Sequence, residues 1–224
     1  MKQIENQMLV FDKEQRGAAV TAGISLFIMT FLAPFSNFYV LGNLIVDGDI
    51  LKTIQNIADS QGVYRLGILS FIFVGILDII AAWSLYIVFK STSKWLSLLS
   101  MCFRLIYSAI LLCAIGSLFN VLGLLSESQM QNQIIFSINE FKNLWDIGLM
   151  IFGIHLLVLG YLILKAGYLK GFLGVFVLIA GLGYVIDAMG MVALQNYNFK
   201  VSGFTFIGEV LLMIWLLWFG FRRK

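Results

Sequence analysis

The 224 residues are 60% hydrophobic and 12% charged, with a formal net charge of +3 and a mean hydropathy of +0.93. That balance excludes a soluble globular domain, whose core needs far less apolar material. It also excludes a nucleic-acid binder, because no basic domain or stacking surface accompanies the small positive charge.

Long apolar stretches predict six membrane-crossing helices, at about 17–40, 63–89, 95–122, 144–164, 171–194 and 205–221. Roughly 20 helical residues at ~1.5 Å each cover the ~30 Å hydrocarbon layer. Barrel strands are excluded, since they would read as alternating segments of about ten residues separated by turns. The expected architecture is an all-α polytopic membrane protein, one six-helix transmembrane domain over 1–224 without a linker or a second domain.

The first span is too long for the apolar region of a signal peptide, and no small-residue cleavage site follows it. Pro34, the single proline, falls late in that span and is expected to kink it. Asp49 reads as the N-cap of a short helix over about 50–59. Ile50, Leu51, Ile54, Ile57 and Ala58 follow it at helical spacing, with Lys52, Gln55, Asn56 and Asp59 on the other side, as for a helix lying on the outer membrane surface.

The second span carries Arg65 and Asp78, and the third carries Arg104 with Cys102 and Cys113. Those cysteines stand about 16 Å apart along one helix and cannot form a disulfide with each other. Ile134, Ile135, Ile138 and Phe141 recur at helical spacing before the fourth span, which extends that helix outward. Gly153 and Gly160 in the fourth helix, and Gly174, Gly181 and Ala188 in the fifth, repeat every seven residues, as do Gly183 and Gly190. Small residues at that interval predict a seam of close helix approach.

Lys2, Lys13, Arg16, Lys90, Lys94, Lys165, Lys170, Arg222, Arg223 and Lys224 all fall on one side of a six-span chain. The other side carries Lys52, Arg65, Lys142 and Lys200 among Asp47, Asp49, Asp59, Glu127 and Glu140. The excess of Lys and Arg places both termini in the cytoplasm of a multi-pass cell-membrane protein.

Seven ionisable residues lie inside the spans: Arg65, Asp78, Arg104, Asp146, His155, Asp187 and Glu209. Each charge near the bilayer centre costs about 2.5 to 3.5 kcal/mol even on the lenient insertion scale, so such groups should face inward and find partners. Asp78 precedes Lys90 by twelve residues and Arg104 follows Lys94 by ten, which puts them at matching depth, roughly 18 and 15 Å from one face. An ion pair between them is therefore expected, and His155 reaches the same level and is expected to join. Arg65 and Asp146 lie nearer the outer rim and are expected to snorkel. Asp187 and Glu209 must pair, protonate or line a wet pocket. A polar cavity opening outward, floored by Asp78, Arg104 and His155, would accommodate the whole set.

These residues carry a resemblance. A glycine-containing first span after a basic residue leads to Gly48-Asp49, Tyr64-Arg65-Leu66-Gly67-Ile68, and Asp78 with Leu85-Tyr86. Phe103-Arg104-Leu105 follows, then His155 ahead of Leu156-Leu157-Val158-Leu159-Gly160-Tyr161-Leu162, Gly181-Leu182-Gly183-Tyr184-Val185-Ile186-Asp187, and Gly208-Glu209 with Trp215-Leu216-Leu217. Over nearly its whole length the chain resembles a bacterial membrane-protein family known as domain of unknown function 4386. A proline frequent in that family before the fifth helix is replaced by Leu169-Lys170-Gly171, a change confined to a turn. The resemblance implies the fold and topology and brings no activity.

Three function classes follow, in this order. The first is a protein that binds or translocates a small ligand, cation or proton at Asp78, Arg104, His155, Asp187 and Glu209, since proton relays use intramembrane carboxylates with histidine. The second is a structural or accessory subunit whose buried charges only hold the bundle together. The third is an intramembrane enzyme acting on lipid, with the acids and His155 as general acid and base. One histidine disfavours catalytic zinc, no nucleophile-elbow pattern is present, and no phosphate-cradling glycine loop follows a strand. The expected partners are membrane lipid and a small ligand or ion, with no metal and no cofactor.

Overall fold

A computed structural model describes residues 12–125, 130–167, 171–194, 197 and 199–221. Lys2, Glu127, Lys170, Arg222, Arg223 and Lys224, which entered the orientation argument, lie outside the described residues. Among the described residues there are helices and turns and no strand. Six helices are long and apolar enough to cross a membrane: α1 (Lys13–Leu44), α3 (Gln61–Phe89), α4 (Lys94–Leu124), α5 (Gln131–Lys165), α6 (Gly171–Ala193) and α7 (Ser202–Phe221). A seventh, α2 (Ile50–Asp59), is short.

The distribution of side chains is the reverse of that in a water-soluble protein. In α3, Asp78 is 2% exposed while Phe73 and Trp83 are 57% and 58% exposed. An exterior so rich in large apolar side chains is stable only against lipid, which competes for no hydrogen bonds and leaves the polar groups to satisfy one another inside.

The chain forms two compact units. One comprises Ile28–Leu77 and Ser108–Gly148. Here α1 absorbs Pro34 without ending. Proline has no N–H to give, and the following Phe35–Leu41 widens into a π-helical stretch that returns to α-helix at Gly42. Ser36 Oγ donates to the Gly67 carbonyl at 2.9 Å, and the same glycine admits Val40, to which any added Cβ would come within 2.8 Å. Phe71 packs on Phe141 and Trp145 with ring centroids 5.4 and 5.1 Å apart.

The Asp49 carboxylate accepts from the Lys52 N–H at 3.0 Å and so caps α2. The buried stripe of α2 is centred on Thr53 and Ile57, whereas Leu51 is exposed. Thr53 is drawn in because its hydroxyl exchanges hydrogen bonds with the Val46 backbone. Helix α5 starts at Gln131, so the apolar repeat of Ile134, Ile138 and Phe141 is continuous with the fourth span.

The other unit comprises the described residues of Met1–Phe27, Asp78–Tyr107 and Leu149–Lys224. Asp12 and Gln15 open α1 with reciprocal bonds, Gln15 N–H to Asp12 Oδ1 at 2.7 Å and Asp12 N–H to Gln15 Oε1 at 3.2 Å. The amide of Gln15 then donates to the Val88 carbonyl and to Ser91, tying α1 to the turn between α3 and α4.

Helices α5 and α6 meet on the glycine seam. A Cβ on Gly181 would lie 2.7 Å from the Gly153 carbonyl oxygen, and one on Gly160 would lie 2.9 Å from that of Gly174. Gly183 and Gly190 serve a different face, where added side chains would strike Thr205 and the ring of Tyr197.

Candidate functional site

Arg104 stands at the centre of a cluster drawn from five helices of the second unit. Its Nη2 donates to Asp78 Oδ1, forming an ion pair whose side chains are 2% and 4% exposed. Arg104 Nη1 lies 3.3 Å from His155 Nε2. A guanidinium can only donate, so Nε2 must be the acceptor and the ring proton must sit on Nδ1. That proton has its partner: Nδ1 is 2.9 Å from the Ser100 carbonyl, with Ser100 Oγ at the same distance. His155 is thus a neutral ring held between α4 and α5 in one tautomer.

The spacing of α4 supplies this geometry. Ser97, Ser100, Arg104 and Ser108 recur at intervals of three and four, occupy one side of the helix, and are all buried.

Phe152 joins this charged group to an aromatic one. The Arg104 Cζ lies 5.2 Å from the Phe152 ring centroid, within the range of a cation–π contact. The same ring lies 5.0 Å from Tyr107 and 5.7 Å from His155, and meets Tyr184 edge to face at 5.4 Å. Tyr184 in turn donates its hydroxyl to Glu209 Oε1 at 2.9 Å.

Four of the five core candidates, Asp78, Arg104, His155 and Glu209, therefore occupy one neighbourhood. Asp187 is engaged otherwise. Its Oδ1 accepts from the Tyr197 hydroxyl at 2.6 Å and the Val201 N–H at 2.7 Å, and its Oδ2 from the Ser202 N–H at 2.9 Å. A carboxylate at those amides satisfies donors that the first turn of α7 leaves open and complements its dipole. The rim candidates belong to the first unit, where Arg65 is exposed and Asp146 is half-buried.

Residues 21–220 match the family described as Domain of unknown function (DUF4386). The chain belongs to that family. An uncharacterized protein of Archaeoglobus fulgidus is 33% identical to it over 142 residues, 63% of this chain and 76% of the relative. No solved structure matches.

Ser100, Tyr107, Phe152 and Tyr184 also belong to this cluster, and charge alone does not mark them. A signal for two of them was present in helical spacing: Ser100 is four residues before Arg104 and Tyr107 three after it. Tyr184 stands in the Gly181–Asp187 motif of the resemblance, but helical spacing marks neither it nor Phe152, since an aromatic residue in an apolar helix looks the same whether it faces lipid or core.

Chemically, the cluster holds two carboxylates and one permanent cation, with a histidine whose basic nitrogen is already in use. Among the described residues no group of three or more His, Cys, Asp or Glu is placed to hold a metal ion.

Proposed function

We propose that this DUF4386 protein binds or translocates a small cation or proton at the Asp78–Arg104–His155–Glu209 cluster. The observation that carries the reading is the charge count. Asp78 and Arg104 neutralise each other in a pair, and His155 is neutral, so Glu209 is left with a phenol rather than a cation as its hydrogen-bond partner. A carboxylate so placed within a membrane span is completed by taking up a proton or a cation. The placement of Asp187 on its own chain supports a structural role for that residue, which leaves Glu209 as the exchanging group.

In this reading the chain is a single six-helix transmembrane domain in the cell membrane, with both termini cytoplasmic because Lys13, Arg16, Lys90, Lys94 and Lys165 fall on one side. Lipid surrounds it, and an accessory or lipid-hydrolysing role ranks below.

The test is reconstitution. Liposomes containing the purified protein and an internal pH-reporting dye are subjected to an inward-negative potential. Acidification faster than in empty liposomes is expected, and Glu209→Gln should abolish the excess while keeping the wild-type melting temperature. Equal rates for wild type, variant and empty liposomes would overturn the proposal.

A further inference from the structure

We infer that the end of the second unit where α1 begins and α3 turns into α4 is a docking surface for anionic phospholipid headgroups, presented by Lys13, Arg16, Lys94 and Lys165 beside the exposed indole of Trp95. It shares no residue with the Asp78–Arg104–His155–Glu209 cluster.

The charge at this end is unbalanced. Among the described residues it carries five cations, Lys13, Arg16, Lys90, Lys94 and Lys165, against two carboxylates, Asp12 and Glu14. Lys90 takes one of the acids, its Nζ donating to both Glu14 oxygens at 3.0 Å. The other, Asp12, accepts from the Gln15 N–H and opens α1. Lys13, Arg16, Lys94 and Lys165 make no ion pair among the described residues. The three lysines are exposed and Arg16 is half-buried. In the first unit, by contrast, Lys142 is paired with Asp47 at 2.9 Å.

The fold gathers these cations. The Gln15 amide donates to the Val88 carbonyl at 3.2 Å and to Ser91 Oγ at 2.8 Å, so the first turn of α1, which bears Lys13 and Arg16, is fastened to the turn that leads into Lys94. Helices α4 and α5 meet where Ser100 contacts His155. Lys94 lies six residues before Ser100 and Lys165 ten after His155, which on antiparallel helices brings both to the same end, ~9 and ~15 Å from that contact. Trp95 is 79% exposed next to Lys94, and an indole at the end of an apolar helix sits at headgroup level, its ring toward lipid and its N–H toward the polar side.

Charge and indole together select the occupant. Free phosphate would meet the cations and gain nothing from Trp95, and a zwitterionic lipid would meet the indole without net charge. An anionic phospholipid satisfies both. Each Lys or Arg close to an anionic membrane surface strengthens the attraction roughly fivefold, ~1 kcal/mol.

Energy transfer from the tryptophans to a dansyl-labelled lipid tests this, with the full chain reconstituted in phosphatidylcholine vesicles holding a trace of labelled phosphatidylglycerol or labelled phosphatidylcholine. Transfer to phosphatidylglycerol should be the stronger, and the preference should fall as sodium chloride is raised. Lys94→Gln should lower the preference by up to roughly fivefold, and the triple variant Lys13→Gln, Arg16→Gln, Lys94→Gln should remove most of it. Lys142→Gln should leave it unchanged.

Equal transfer to the two lipids by the wild type would overturn the inference, as would a triple variant that keeps the wild-type preference. Displacement of labelled phosphatidylglycerol by inorganic phosphate, but not by chloride at equal ionic strength, would assign the surface to free phosphate and overturn the lipid. Should the triple variant fold poorly, the lipid, salt and phosphate comparisons on the wild type decide alone.

Discussion

Replacing Arg104 by methionine removes the cation from a carboxylate that is 4% exposed and fixed within α3. The carboxylate must then either stay charged in an apolar setting or take up a proton. The second route caps the penalty: holding an ordinary aspartate, with a pKa of ~3.9, in its protonated form at about pH 7 costs ~4 kcal/mol. That figure sits inside the ~3 to 5 kcal/mol expected for breaking a buried pair. His155 Nε2 also loses its donor, which adds about 1 to 3 kcal/mol.

The sign of the pH dependence follows from linkage. The folded variant holds a proton that the unfolded chain releases above ~pH 4, so its stability falls by about 1.4 kcal/mol for each unit of rising pH. At about pH 5 the carboxylate part of the penalty should shrink to ~1.5 kcal/mol. The double variant Asp78→Asn with Arg104→Met carries no charge to protonate and should recover most of the loss at neutral pH. Unfolding in mixed micelles by added SDS, followed through the five tryptophans, measures all of these. A penalty for Arg104→Met below about 1 kcal/mol, or a double variant no more stable than that single one, would refute the reasoning.

Alanine at Gly181 drives a Cβ to 2.7 Å from the Gly153 carbonyl oxygen, and since backbone cannot swing aside it should cost about 1 to 3 kcal/mol in the same assay. Gly116→Ala in α4, with nothing within 4 Å of its Cβ, should be neutral or stabilising by up to ~1 kcal/mol. Tyr197, in the segment between α6 and α7, has its phenol pushed up from the ordinary tyrosine range by its hydrogen bond to the Asp187 carboxylate. A raised phenol contributes stability that is fully present below the unfolded tyrosine value of ~10 and is lost as pH rises through the folded value. Tyrosinate absorbance should therefore show one phenol titrating earlier in Asp187→Asn than in the wild type, and identical curves would contradict the contact.

How much of the site was legible depends on which coordinate is asked for. Depth along a membrane helix is set by residue count and a fixed rise, so Asp78, Arg104 and His155 were aligned by counting from Lys90, Lys94 and Lys165, and they do meet. The seven-residue glycine repeats were legible for a similar reason, because close helix approach requires a missing Cβ at each crossing.

Rotation about each helix axis was not legible. In a soluble protein one face must be polar, and the periodicity reveals it, but lipid is as apolar as the interior and α3 and α6 are apolar all round. Only packing decided that Tyr184 turns toward Glu209, that Phe152 lies beneath Arg104, and that Asp187 serves the start of α7 instead of the cluster. The sequence by itself determined the number of apolar helices and the level at which each charge lies, because both are properties of a single strand of chain. Which charges share a pocket was decided by the tertiary structure, because that depends on the angles at which separate helices face one another.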